Sequence, residues 1–262
     1  MTTRTTPAQP PTLLRRRAAL AQLTAAAALL GACGRAAAFD ISRLWPEAGS
    51  GLRVEERRRA SGFTGLRLST AARVEIRQGN VESVVVEADD NTAPLIDVFV
   101  EGGTLVVEDS RRFKSSLAKV TVTLRQLDSL TTSNSVAVVC DRLVAPKLAI
   151  TMAGSSAVHL KAITSERVRA ALGGSAALML VGSTRELALT LGGSSNVSAG
   201  GLEARAVTVQ GGGSSQAAVW GTDALSVALG GSAGVGYYGK PSLTSSSGGT
   251  ATLRSLGEPP VR

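Results

Sequence analysis

The sequence predicts an all-β fold: a parallel β-helix of about seven coils, each 18–20 residues long, behind an N-terminal strand-rich cap. Three observations predict it. A short phrase recurs at Asn134-Ser135, Gly154-Ser155, Gly174-Ser175, Gly193-Ser194, Gly213-Ser214, Gly231-Ser232 and Gly249-Thr250, with steps of 20, 20, 19, 20, 18 and 18 residues. A fixed period of this length marks stacked coils. Before each phrase the chain alternates, as where Leu148, Ile150 and Met152 interleave with Ala149 and Thr151, or Leu187, Leu189 and Leu191 with Ala188 and Thr190. After each phrase a second alternation begins, at Val138 and Cys140 in one coil and at Leu178 and Leu180 in another. Strict alternation means a strand with one buried face. Two short strands per coil, with like residues stacking on like, make a parallel β-helix.

The phrase itself is the turn between the two strands. Asn134, Gly154, Gly174, Gly193, Gly213, Gly231 and Gly249 are therefore structural turn residues. Glycine tolerates positive φ, and asparagine is the next best residue there. The Ser or Thr that follows can satisfy a bent backbone group with its hydroxyl. A second turn is expected at Gly182, Gly201, Gly221 and Gly239, each eight residues after its anchor. Seven coils at ~4.8 Å give a rod of roughly 30 Å. One coil cannot bury its own apolar face, so stability must come from the stack.

Residues 1–33 read as a signal peptide. Arg4, Arg15, Arg16 and Arg17 come without any acidic residue, and an Ala- and Leu-rich run follows from Ala18 to Leu30. The run is too short for a membrane-spanning helix. It ends in Leu30-Gly31-Ala32-Cys33, which resembles the bacterial lipobox, so Cys33 is the candidate lipidation site and the membrane a partner through that anchor. Ordinary cleavage near Ala36 to Ala38 is the alternative. Arg16-Arg17-Ala18-Ala19-Leu20 fits a twin-arginine signal and a plain basic n-region equally.

Residues 34–60 lack periodicity apart from Phe39, Ile41, Leu44 and Trp45, and read as a tether. The domain proper is expected over 61–256, with a C-terminal tail at 257–262. Strand patterns start at Phe63 and continue through Val74 and Ile76, Val84 to Glu87 and Ile96 to Val100. Glu101-Gly102-Gly103-Thr104 is a hairpin signal leading into Leu105 to Val107, and Val120, Val122 and Leu124 alternate into the first coil. This segment would cap the first edge of the helix, and Pro259-Pro260 would blunt the last.

The formal charge of +8 includes the four arginines of the leader; from Cys33 onward 24 basic residues face 20 acidic ones. So small an excess gives no nucleic-acid footprint. The dense run Arg57-Arg58-Arg59, beside Glu55 and Glu56, reads as a solvated linker. Cys140 falls in the inward column with Leu160 and Leu180, where a thiol acts as a small hydrophobe.

Neither an enzyme nor a cofactor site is expected. The outward columns hold Ala, Thr, Ser, Gln and Gly, and Glu166, Glu186, Glu203 and Asp223 fall singly in turns, most beside Arg167, Arg185 or Arg205. Glycoside hydrolysis needs two carboxylates on one face. Gly230-Gly231-Ser232-Ala233-Gly234 matches the hydrolase nucleophile pattern on paper, but the single histidine, His159, lies four coils away, ~19 Å at the β-helix rise. His159 falls in an outward column with Val139 and Met179, and one histidine makes no metal site.

Phe63-Thr64-Gly65-Leu66, Val74-Glu75-Ile76-Arg77-Gln78-Gly79, the hairpin before Leu105-Val106-Val107, the serial Gly-Ser coils and Tyr238-Gly239-Lys240-Pro241 together resemble the bacterial head GIN domain family, over about residues 60–255. The resemblance implies a β-helix and an auto-transporter adhesin head. A lipid anchor at Cys33 would take the place of a translocating barrel.

Trp220 and Tyr238 both lie seven residues after an anchor, on successive coils, and are the candidate ligand-binding pair. Aromatic faces stack on sugars or meet a partner protein. The plainer reading packs them on each other or on the segment holding Trp45. The function these features point to is non-catalytic binding or adhesion at the cell envelope, in the periplasm or on the outer surface, with a wall glycan or envelope protein as partner. An envelope assembly subunit that forms homo-oligomers is the alternative, and a carbohydrate-active enzyme ranks below both.

Overall fold

The computed structural model describes residues 45–259. The leader, Cys33 and the apolar patch of Phe39, Ile41 and Leu44 lie outside the described residues, as does Pro260. Within them the chain is a β-solenoid. Its strands in order are β1 (Glu47–Ala48), β2 (Arg53–Arg58), β3 (Gly65–Ser69), β4 (Arg73–Gln78), β5 (Ser83–Asp89), β6 (Ile96–Glu101), β7 (Thr104–Asp109), β8 (Phe113–Lys114) and β9 (Lys119–Leu124). The regular stack continues with β10 (Ser129–Thr132), β11 (Ala137–Cys140), β12 (Leu143–Met152), β13 (Ala157–Leu172), β14 (Ala177–Leu191), β15 (Asn196–Gly211) and β16 (Gln216–Leu229). It ends in β17 (Gly234–Tyr238), β18 (Ser242–Ser247) and β19 (Thr252–Gly257).

Parallel pairing in strict register builds the stack. Leu130 lies on Ile150, Ile150 on Ala170, Ala170 on Leu189 and Leu189 on Val209. Leu148, Ile150 and Met152 are buried while Ala149 and Thr151 are exposed. The alternation of the sequence is thus the alternation of burial.

All seven anchors take the left-handed conformation, with φ between 61° and 73°. A second constraint adds to the first. From Ser155 upward, each serine or threonine amide donates to the carbonyl of the anchor one layer below, as Ser155 N to Asn134 O at 2.7 Å and Ser175 N to Gly154 O at 2.8 Å. The turns therefore form a hydrogen-bonded ladder of their own. A methyl on Gly193 would lie 2.5 Å from the Gly174 carbonyl oxygen, well inside contact distance. Asn134 escapes this because it begins the ladder, and its Nδ2 donates to Ser69 Oγ at 2.7 Å.

Chain order and layer order part company at the N-terminal end. The β3–β4 pair lies directly beneath β10–β11, with Leu66 on Leu130 and Val74 on Val138. Beneath that lies the later β7–β9 pair, with Leu105 on Leu66 and Val120 on Val74. Residues 65–78 and 104–124 are thus two further layers, and the cap is the antiparallel set outside them. There β6 pairs with β7, β5 with β9, and β2 with β5.

Two expectations need correction. The tether does not extend to residue 60: Arg53–Arg58 pairs residue for residue with Asp89–Val84, and Arg57 and Arg58 are strand residues. Backbone pairing, not an apolar face, holds this strand, since only alternate side chains are half-buried. Its charges suit an outer edge, where unpaired backbone groups would otherwise invite aggregation. The other correction concerns the second corner. Of its four glycines only Gly182 and Gly239 take positive φ, at 135° and 89°. The strands run through this corner and bend by register shifts between Leu160 and Ile163 and between Met179 and Val181. A bulge bends a strand without reversing φ.

Candidate functional site

Outward columns on the stack set what a ligand would meet. One column after the anchors reads Val139, His159, Met179, Ser198 and Ala218, each the register partner of the next. His159 is exposed between Val139 and Met179, and Ser232 is exposed with its Oγ 3.0 Å from Thr250 Oγ1. The structure does not bring these two residues together as a nucleophile and base.

Trp220 and Tyr238 are register partners on β16 and β17, both half-buried. Glycines brace them. A methyl on Gly200 would lie 2.6 Å from Tyr238 Cε2, so the phenol ring lies against that backbone, and a methyl on Gly239 would lie 3.4 Å from Trp220 Cδ1. Trp45, the other partner the sequence offered, is 75% exposed.

The isolated carboxylates sit partly on rungs. Glu186 is the register partner of Arg167, whose Nε donates to its Oε2 at 2.6 Å. This bond, followed by the charges of Arg167, Arg185 and Arg169, holds the Glu186 carboxyl below the usual carboxylate range. Glu203 is likewise a ladder residue, opposite Trp220, and not a turn residue. Glu75 is held low by its bonds from Arg77 and Lys119. Cys140 is buried, and burial pushes its thiol up to about 11, which keeps it protonated and inert near neutral pH. Among the described residues no group of three or more His, Cys, Asp or Glu could hold a metal ion, and no helix is long and apolar enough to cross a membrane.

The stack, the glycine ladder and the outward aromatic pair define a β-solenoid of the kind that displays flat, rigid faces. The chain belongs to the family described as "Putative auto-transporter adhesin, head GIN domain", which matches residues 62–241. No curated protein matches the chain. Solved structures share the fold. A putative adhesin from Bacteroides fragilis superposes with a TM-score of 0.75 at 21% identity, covering 80% of this chain and 99% of that one. A putative lipid binding protein from Parabacteroides distasonis gives 0.69 at 19% identity, over 81% and 100% of the two chains. A putative adhesin from Parabacteroides merdae gives 0.65 at 15%, over 80% and 98%.

The sequence reading missed a cleft of about 720 Å³ where the turn between β3 and β4, the lowest anchors and β8 meet. Only Arg112 and Lys114, flanking Phe113 between two periodic segments, could have signalled it.

Proposed function

We propose that this protein is a non-catalytic binding module of the cell envelope, adhesion-like in role and held to a membrane through lipid on Cys33. Membership of a family named for adhesin heads supports the envelope role. The observation that carries the binding reading is the register pairing of Trp220 with Tyr238 on the outer surface. Two aromatic rings fixed one layer apart, braced by Gly200 and Gly239, are ordered before any ligand arrives. Ordering them in advance removes a cost of binding, and aromatic faces stack well on sugar rings. A wall glycan is therefore the ligand class, with an envelope protein as the other partner such a ridge would suit.

The test is binding of the full-length chain to insoluble cell-wall glycan, comparing wild type with Trp220→Leu and Tyr238→Ala. The leucine keeps apolar bulk against Gly239. Affinity is expected to fall about tenfold or more in each variant, equivalent to ~1.4 kcal/mol, with the melting temperature held within a few degrees. Equal glycan binding by all three proteins would overturn the reading. The anchor is tested separately by mass spectrometry of the membrane-bound N-terminus, where an acyl increment on Cys33 must vanish in Cys33→Ser.

A further inference from the structure

We propose that the cleft at the foot of the turn ladder is an oxyanion site that takes a phosphate group. The ladder itself supplies the first donor. Each anchor serine or threonine from Ser155 upward gives its amide to a carbonyl one layer below. Ser135 is the lowest in the series. The turn beneath it, between β3 and β4, is of another kind, so among the described residues no anchored carbonyl waits for the Ser135 amide. By the repeat of the ladder that amide points down, and Ser135 lines the cleft together with Ser69 and Ser155. Backbone amides in turns of this conformation form anion-binding concavities.

Charge agrees with the donors. Arg112 and Lys114 line the same cleft from either side of Phe113, which is buried. Their backbone is fixed, because Arg112 O accepts from Glu47 N at 2.9 Å and Lys114 O from Gly49 N at 3.0 Å. Neither side chain has an acidic partner among the described residues, whereas neighbouring Arg111 pairs with Glu47 at 3.4 Å. One carboxylate also lines the cleft, that of Asp109, and its oxygens are already occupied by the Thr70 hydroxyl at 2.5 Å and the Ala71 amide at 2.7 Å. Two exposed cations, serine hydroxyls and a free amide suit a tetrahedral oxyanion with several acceptor oxygens.

The source of the phosphate follows from where the chain comes in. Pro46 lines the cleft, thirteen residues after Cys33. An extended segment of that length reaches at most ~45 Å, so a lipid on Cys33 would hold the cleft within reach of phospholipid headgroups. A phosphate carried on a soluble polymer has the same chemistry.

The experiment uses the isotope-labelled full-length chain carrying Cys33→Ser, titrated with inorganic phosphate at constant ionic strength. Saturable shifts are expected at the Ser135 and Lys114 amides, and the double variant Arg112→Gln/Lys114→Gln should bind at least tenfold more weakly with an unchanged melting temperature. Phosphatidylglycerol vesicles, compared with phosphatidylcholine, separate the sources. Retention that the double variant loses assigns a headgroup; phosphate shifts without retention assign a polymer-borne phosphate. No saturable shift at Ser135 and Lys114, or the same shift in the double variant, overturns the site. Neither result depends on the Trp220–Tyr238 ridge.

Discussion

The side-chain amide of Gln78 pairs with the backbone of Val144 as a strand residue would. Its Oε1 accepts from Val144 N at 2.8 Å, and its Nε2 donates to Val144 O at 2.9 Å and to Arg125 O at 3.0 Å. The chain leaves the second layer at Gln78 to build the cap, so the first residues of β12 have neighbours above, at Ile163 and Thr164, but no strand below. One amide closes that gap. Gln78→Ala should cost about 1 kcal/mol, since Val144 is exposed and water can take its place. Gln78→Glu should cost more, because a carboxylate has no donor for the two carbonyl oxygens. Chemical denaturation of the two variants checks the order, and a Glu variant as stable as wild type would refute this account.

The glycine ladder makes a sharper prediction. Gly193→Ala adds a methyl in a left-handed turn, 2.5 Å from the Gly174 carbonyl oxygen. Conformational strain of about 1 kcal/mol or more is joined by displacement of a rung, so the loss should exceed ~2 kcal/mol. Asn134→Gly, at the base, should change stability by less than ~1 kcal/mol, losing only the bond to Ser69 and some rigidity of the unfolded chain. Thermal melts of both variants would show whether position in the ladder or the turn conformation alone sets the cost.

The period was legible because every anchored layer repeats the same contacts, and Gly154, Gly174 and Gly193 each meet the same neighbour one layer down. The layer order was not, because a repeat implies that consecutive copies stack in turn. Nothing in Leu105 or Val120 says that it lies under Leu66 or Val74. Arg53–Arg58 falls within the 34–60 tether in the sequence because it has no apolar face and is a strand only through its partner Ser83–Asp89. Gly201 and Gly221 looked like Gly182, yet the corner they mark bends by register shift, which composition does not record. The spacing of Trp220 and Tyr238, by contrast, follows from the period, which sets them one layer apart as register partners. The phosphate cleft was out of reach, since Ser69, Arg112 and Ser135 meet only once the layers are reordered.

Ser195 is a buried hydroxyl without a partner. Its column runs Ser156, Ala176, Ser195, Ser215 and Ala233, all buried. Ser156 Oγ is bonded to Thr132 at 2.9 Å and to Ala153 O at 3.2 Å, and Ser215 Oγ donates to Gly212 O at 2.9 Å. Ser195 Oγ meets no acceptor. A buried polar group left unsatisfied costs about 1–3 kcal/mol, and alanine already fits twice in this column. Ser195→Ala should therefore raise stability by about 1 kcal/mol, while Ser215→Ala should lower it by a similar amount. The opposite signs make a melting comparison decisive.

Asp89 fastens the first strands to the cap. It is buried, its Oδ1 accepts from Gly51 N at 2.7 Å, and its Oδ2 accepts from the Ser115 hydroxyl. The Ser115 bond above all, then the Gly51 amide, holds the carboxyl below its ordinary 3.8 despite burial, which pushes the other way. A carboxyl with a depressed folded pKa adds stability that is fully present above the unfolded value and is lost as pH falls through the folded one. The loss attributable to Asp89 is thus confined to pH below about 4. Asp109, raised by burial, has the opposite sign and gains on protonation. The two are separated by comparing wild type with Asp89→Asn between pH 7 and pH 2.5. At neutral pH the variant should melt lower, because Asn cannot accept from both donors as an anion does. As pH drops below 4 the gap should close, since the wild type loses what the variant never had. A gap that stays constant across this range would show that Asp89 holds Gly51 and Ser115 by shape rather than by charge.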